Sequence, residues 1–193
     1  MKKICFATNN INKLKEIQQQ LEGLYQVVSL KEINCEEELP ETQETLEGNS
    51  LQKAQYVWDN YGVSCFADDT GLEINALNGE PGVYSARYAG PQRDSDNNMD
   101  LVLKNLEGKN DRSARFRTVI TLLWEGNVEQ VEGIAEGDII TERTGDEGFG
   151  YDPIFKSKGH ERTFAQLSSK EKNEISHRGK AVVKLIELLK DKV

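Results

Sequence analysis

The opening of the chain constrains the fold more than any other part. Lys2 to Thr8 carries Ile4, Cys5, Phe6 and Ala7 in unbroken succession, the pattern of a strand buried on both faces. After Asn12, Leu14, Ile17, Leu21 and Leu24 recur at helical spacing, and Gln26-Val27-Val28-Ser29-Leu30 reads as a second strand. Strand, helix, strand at this length is a βαβ unit, which predicts a parallel pair joined by a right-handed crossover.

The rest of the chain continues in the same class. Residues 31 to 43 are acidic and polar and read as a loop. A long helix is expected from Thr45, with Ala54, Val57, Trp58 and Tyr61 on one face and Gly62 as its stop. A strand then leads to Asp68-Asp69, a stretch rich in Gly and Pro runs from Asn78 to Pro91, and a third helix carries Met99, Val102, Leu103 and Leu106. Arg115 to Trp124 and Val128 to Ile140 read as an antiparallel hairpin. Thr144 to Pro153 is expected as a glycine-rich loop. Thr163-x-x-Gln166 and Ser168-x-x-Glu171 match capping boxes, and Ser176 can cap a last helix striped by Val182, Leu185, Ile186 and Leu189. The expected architecture is α/β: a mixed, strongly twisted sheet flanked by helices, with residues 1–193 forming a single domain of two lobes around a central cleft.

Composition narrows the function. Lys+Arg 24 against Asp+Glu 33 gives a net charge of -9, which argues against a general nucleic-acid binder. A local cluster of cations can still serve a small anionic substrate. The cysteines Cys5, Cys35 and Cys65 form no CxxC pair, so neither a zinc site nor a disulfide framework is indicated, and a reducing, cytoplasmic setting is expected. The apolar run at the amino end stops at Thr8-Asn9-Asn10, too short for a signal peptide, and no membrane span is expected.

Four stretches carry residues suited to chemistry. In Cys65-Phe66-Ala67-Asp68-Asp69-Thr70-Gly71-Leu72 an apolar strand is expected to end in two carboxylates before a glycine turn. Neighbouring side chains of a strand point to opposite faces, so Asp68 and Asp69 cannot do the same job. Asp-Asp-x-Gly also suits a solvated turn, whereas buried acids ask for a positive partner such as a divalent metal. Thr8-Asn9-Asn10-Ile11-Asn12-Lys13 passes from strand to helix N-terminus, which offers either an anion site with Lys13 beside it or ordinary capping by Asn. Gly148-Phe149-Gly150-Tyr151-Asp152 offers either flat aromatic faces for a base with an acceptor at Asp152, or a loop with two anchoring aromatics. His177 and Arg178 open a helix, where cations oppose the dipole unless an anion is expected there. With Glu41, Lys53 and Lys172, these groups suit a Mg²⁺-bound nucleoside triphosphate, without the GxxxxGK[ST] pattern of a P-loop.

Thr8-Asn9-Asn10…Lys13, Ala67-Asp68-Asp69-Thr70-Gly71-Leu72, Pro81-Gly82-Val83-Tyr84-Ser85-Ala86-Arg87-Tyr88-Ala89-Gly90, Phe149-Gly150-Tyr151-Asp152-Pro153 and Ser176-His177-Arg178-Gly179 stand in order along nearly the whole chain. Together they resemble the inosine triphosphate pyrophosphatase family, in its bacterial form. The resemblance implies Mg²⁺-dependent hydrolysis of deaminated purine triphosphates (ITP, dITP, XTP) to the monophosphate and pyrophosphate. By the same resemblance, Asp69 is the proton acceptor and a Mg²⁺ ligand and Glu41 the other ligand; Asp68, from its place beside Asp69, is a further metal candidate. Thr8, Asn9, Asn10, Ile11, Asn12, Lys13, Lys53 and Thr70 match positions that hold the triphosphate. Phe149, Gly150, Tyr151, Asp152, Lys172, His177 and Arg178 match positions that enclose the base and sugar or orient the substrate. A homodimer is also implied. Two departures are visible: Ile11-Asn12 stands where many relatives carry Gly, and Thr70 where bacterial relatives often carry Ser. A pyrophosphatase of the related septum-formation fold would show a Ser-Pro-Arg segment near the amino end, and this chain has none.

Overall fold

A computed structural model of the chain describes residues 2–192. The seven strands are β1 (Lys3–Phe6), β2 (Gln26–Val28), β3 (Cys65–Ile74), β4 (Pro81–Gly82), β5 (Ser113–Trp124), β6 (Asn127–Ile139) and β7 (Phe155–Ser157). The five helices are α1 (Ile11–Leu21), α2 (Leu46–Tyr61), α3 (Ser95–Asn105), α4 (Ser169–Ile175) and α5 (His177–Lys190). The strands hydrogen-bond in the order β2-β1-β3-β5-β6-β7, with β4 paired to β3. β1 is parallel to both β2 and β3, while β4 and β7 are antiparallel to their partners, so the sheet is mixed as the sequence predicts. No helix among the described residues is long and apolar enough to cross a membrane.

The chain divides into two compact units. The first comprises Met1–Asp69, Thr118–Glu132 and Ala181–Val193. Here the period of two along the strands sets everything that follows. Ile4 and Phe6 of β1 and Phe66 of β3 share one cluster with Leu14, Ile17 and Leu21 of α1 and Val182, Leu185 and Leu189 of α5. Phe6 and Phe66 stack with ring centroids 4.6 Å apart. Cys5, Ala7, Cys65 and Ala67 point the other way, into a second cluster with Ala54 and Val57 of α2. Both faces of these strands are therefore dry, which is why their sequences are apolar without alternation. α2 begins at the Thr45 cap, whose side chain accepts from the Gly48 N–H, and stops at left-handed Gly62.

The second unit comprises Thr70–Arg117 and Gly133–Lys180. Its core joins Leu72 and Ile74 of β3 to Met99, Val102 and Leu106 around α3, and to Phe116, Tyr151, Phe155 and Phe164. Both capping boxes are present: Thr163 with Gln166 opens a short 3₁₀ turn, and Ser168 with Glu171 opens α4. Ser176 Oγ accepts from the Gly179 N–H at 3.0 Å and so caps α5.

One expectation is corrected. β3 does not end in a turn after its two acids but runs unbroken through Gly71 to Ile74. Gly71 is there for close approach, since a Cβ would lie 2.6 Å from the Gly82 carbonyl oxygen of β4. The two aspartates consequently sit inside a strand rather than at its tip.

Candidate active site

In the first unit the strand alternation sorts the two acids. Asp68 points with Phe66 toward α1, and its Oδ1 accepts from Lys13 Nζ at 3.0 Å with the carboxylate fully buried. Asp69 points toward α2, where Asn49 Nδ2 donates to its Oδ2 at 3.1 Å. Lys53, one helical turn after Asn49, reaches Asp69 Oδ1 at 3.9 Å and donates to Glu41 Oε1 at 2.6 Å. One ammonium thus stands between the carboxylates of Glu41 and Asp69.

The electrostatics follow from that arrangement. Burial pushes the Asp69 carboxyl above its usual value, against the pull of Lys53, Lys13 and the Asn49 hydrogen bond. Burial alone would lower Lys53, but the charges of Asp69, Glu41 and Asp68 outweigh it, and the ammonium is held above its ordinary value. A carboxylate raised by burial beside specific charged partners is the usual dress of a catalytic base.

The turn after β1 is engaged with its own backbone and with the acidic loop. Thr8 Oγ1 accepts from the Asn10 N–H at 3.1 Å. Asn10 caps α1, its Oδ1 accepting from the N–H groups of Asn12 and Lys13 at 3.0 and 3.2 Å. The capping alternative is therefore realised, and two of the N–H groups that could have met an anion are in use. Asn9 spans to the loop, donating to the Glu37 carbonyl at 3.2 Å and accepting from the Leu39 N–H at 2.9 Å. Ile11 and Asn12 are exposed.

A second group of predicted residues gathers in the second unit. Lys172 Nζ donates to Asp152 Oδ2 at 2.7 Å, and the same oxygen accepts from the Phe149 N–H at 2.9 Å. A Cβ on Gly148 would collide with that carboxylate, which explains the glycine. Lys172 Nζ lies 4.8 Å from the Phe149 ring centroid and Arg178 Cζ 5.5 Å from it, so this ring is faced by two cations. Arg178 Nη2 donates to Thr70 Oγ1 at 3.2 Å. His177 is buried and stacked on Phe116, centroids 4.4 Å apart. The two aromatics of the loop differ in role: Tyr151 is in the core and its hydroxyl donates to the Ser85 carbonyl at 2.6 Å, while Phe149 faces the cations. Gly150, between them, is left-handed at φ 63.

Among the described residues no three His, Cys, Asp or Glu side chains are gathered to cage an ion unaided. Magnesium asks for less: it keeps waters and is held by one or two carboxylates together with substrate phosphates. Glu41 and Asp69, hard oxygen donors sharing one ammonium, fit that mode. Asp68 lies on the opposite strand face with Lys13.

Asn49 was not legible as a site residue. The signal that could have found it is its position one turn before Lys53, on the same face of the helix that meets the Asp69 strand.

Residues 4–188 match the model of the Ham1 family. A protein of Flavobacterium johnsoniae named dITP/XTP pyrophosphatase is 56% identical over 97% of this chain and 97% of its own. The solved structure of a HAM1 protein from Coxiella burnetii superposes with a TM-score of 0.90 at 39% identity, covering 99% of this chain and 100% of that one. The Staphylococcus aureus Ham1 protein gives 0.89 at 36%, with both chains covered completely. On the breadth of that match and the residues described above, the chain belongs to the Ham1 family.

Proposed function

We propose that this protein hydrolyses deaminated purine nucleoside triphosphates (dITP, XTP and ITP) to the monophosphate and pyrophosphate, with Mg²⁺ as cofactor. The pyrophosphatase class and the dITP and XTP substrates are those in the name of the Flavobacterium johnsoniae relative, 56% identical over nearly the full chain. The observation that carries the reading is the Glu41–Lys53–Asp69 arrangement: two carboxylates, one of them raised by burial, around a buried ammonium.

In this reading Glu41 and Asp69 would hold a Mg²⁺, which would supply screening of the phosphate charge and polarisation of the phosphoryl oxygens. Asp69 accepts the proton of the attacking water as the bond between the α and β phosphates breaks. Lys13 and Lys53 meet the triphosphate and the negative charge that builds on it. Thr70 contributes a hydroxyl and Arg178 orients the substrate. Phe149 supplies the stacking face for the base, and Lys172 donates toward a 6-oxo group. A buried donor at that point rejects the 6-amino group of adenine, because donor would face donor. The reading includes a cytoplasmic homodimer, and sedimentation of the purified protein tests the dimer.

The test is pyrophosphate release from dITP, XTP, ITP, dATP and dGTP, with and without Mg²⁺, in ¹⁸O-labelled water. Release of pyrophosphate from the first three, abolished by chelation, supports the reading. Release of single phosphates, or turnover indifferent to the metal, contradicts it.

A further inference from the structure

We propose that Asn49 is a positioning residue that fixes the spacing of the Asp69 and Glu41 carboxylates. This rests on the reading of those two acids as the metal-binding pair. Asn49 is buried in the opening turns of α2 and uses both ends of its amide. Nδ2 donates to Asp69 Oδ2 at 3.1 Å, and Oδ1 accepts from the Gln43 N–H at 2.9 Å, two residues beyond Glu41. A single rigid group thus ties β3 to the loop that presents Glu41.

The loop is held on both sides of Glu41 in the same manner. Asn9 Oδ1 takes the Leu39 N–H and Gln52 Oε1 the Thr42 N–H, each at 2.9 Å, and Gln52 Nε2 donates to Thr42 Oγ1 at 2.8 Å. Of these amides, Asn49 is the one that also engages a reacting carboxylate. Lys53 touches both acids too, through Glu41 Oε1 and Asp69 Oδ1. Asn49 is neutral and binds the Asp69 oxygen other than the one toward Lys53, so its hold is compatible with a bound ion. Asparagine is a poor helix former beside alanine, so propensity does not account for it.

The test compares Asn49→Ala, Asn49→Asp and Gln52→Ala with the parent protein and with Asp69→Asn. Asn49→Asp keeps the acceptor for Gln43 and the side-chain size but sets a second carboxyl against Asp69 where the amide donor stood, and it guards against an alanine variant that fails to fold. Partners behind metal ligands are worth about 10–100-fold. Both Asn49 variants should lose about that much kcat on dITP, with KM changed by less than about threefold. Mn²⁺ binding to the substrate-free Asn49→Ala protein, read by electron paramagnetic resonance, should weaken about tenfold. Gln52→Ala should stay within about twofold of the parent in kcat, since it loosens the loop without touching Asp69. Parent-like kcat in Asn49→Asp, or parent-like Mn²⁺ affinity in Asn49→Ala, would overturn the inference, as would an equal loss in Gln52→Ala. If Asp69→Asn itself turned over normally, the metal-pair reading would fall as well. Inactivity of Asp69→Asn beside fully active Asn49 variants would sink this inference alone.

Discussion

Lys172 Nζ donates to Asp152 Oδ2 across 2.7 Å, with the two side chains only 5% and 4% exposed. Taking both charges out of water is costly, and their attraction repays it only while both are present. The pair also sets the loop, because the same Asp152 oxygen receives the Phe149 N–H.

Removing one member should therefore cost more than removing both. Lys172→Met leaves a buried carboxylate and should lose about 3 kcal/mol or more, a fall in Tm of about 6 °C or more. Adding Asp152→Asn should recover much of that stability without restoring turnover on dITP. Thermal unfolding of the two single variants and the double variant, alongside kcat/KM, checks both halves.

Gly71 offers a sharp packing test. A Cβ there meets the backbone of Gly82, which cannot rotate away as a side chain would. Gly71→Ala should destabilise by about 1–3 kcal/mol, read by urea denaturation.

Glu37 gives a pH prediction. Its Oε1 accepts from the hydroxyls of Tyr61 and Tyr56 at 2.6 and 3.1 Å. The Tyr61 hydrogen bond foremost holds the carboxyl down to about 2, against an ordinary 4.5. A depressed carboxylate stabilises the fold above its unfolded value, and that contribution is lost as pH falls through the folded one. The stability gap between the parent and Glu37→Gln should thus be full near neutrality and close between pH 4.5 and about 2. A gap that stayed constant over that window would contradict it.

The thiols should be silent in the native protein. Burial above all pushes the Cys5 thiol up to about 12, and all three cysteines are buried and free. Labelling with a thiol-reactive dye should be negligible until denaturant is added.

Much of this was legible because it is local. The unbroken apolar run of β1, the Thr45 and Gly62 boundaries of α2 and both capping boxes are set by nearest neighbours in sequence. Strand alternation was enough to say that Asp68 and Asp69 must separate, and they do, toward Lys13 and toward Asn49 with Lys53. Gly71 was misread because Asp-Asp-x-Gly has turn composition, while the cause of that glycine is a strand ten residues further on. β7 lies between the Thr144–Pro153 loop and the Thr163 capping box, in a stretch too short to show a period of its own, and its pairing partner is β6. Asn9 and Asn49 were illegible as loop clamps for the same reason: their partners are backbone groups of a segment with no periodicity of its own.

The most direct measurement of the central claim is the steady-state hydrolysis of dITP by Asp69→Asn at saturating Mg²⁺. The substitution keeps the shape and the Asn49 contact side of the residue but removes the base and a metal-binding charge. With Asp69 as proton acceptor, kcat should fall roughly 10²-fold or more while the protein stays folded and still binds the triphosphate. Turnover close to that of the parent protein would contradict the account.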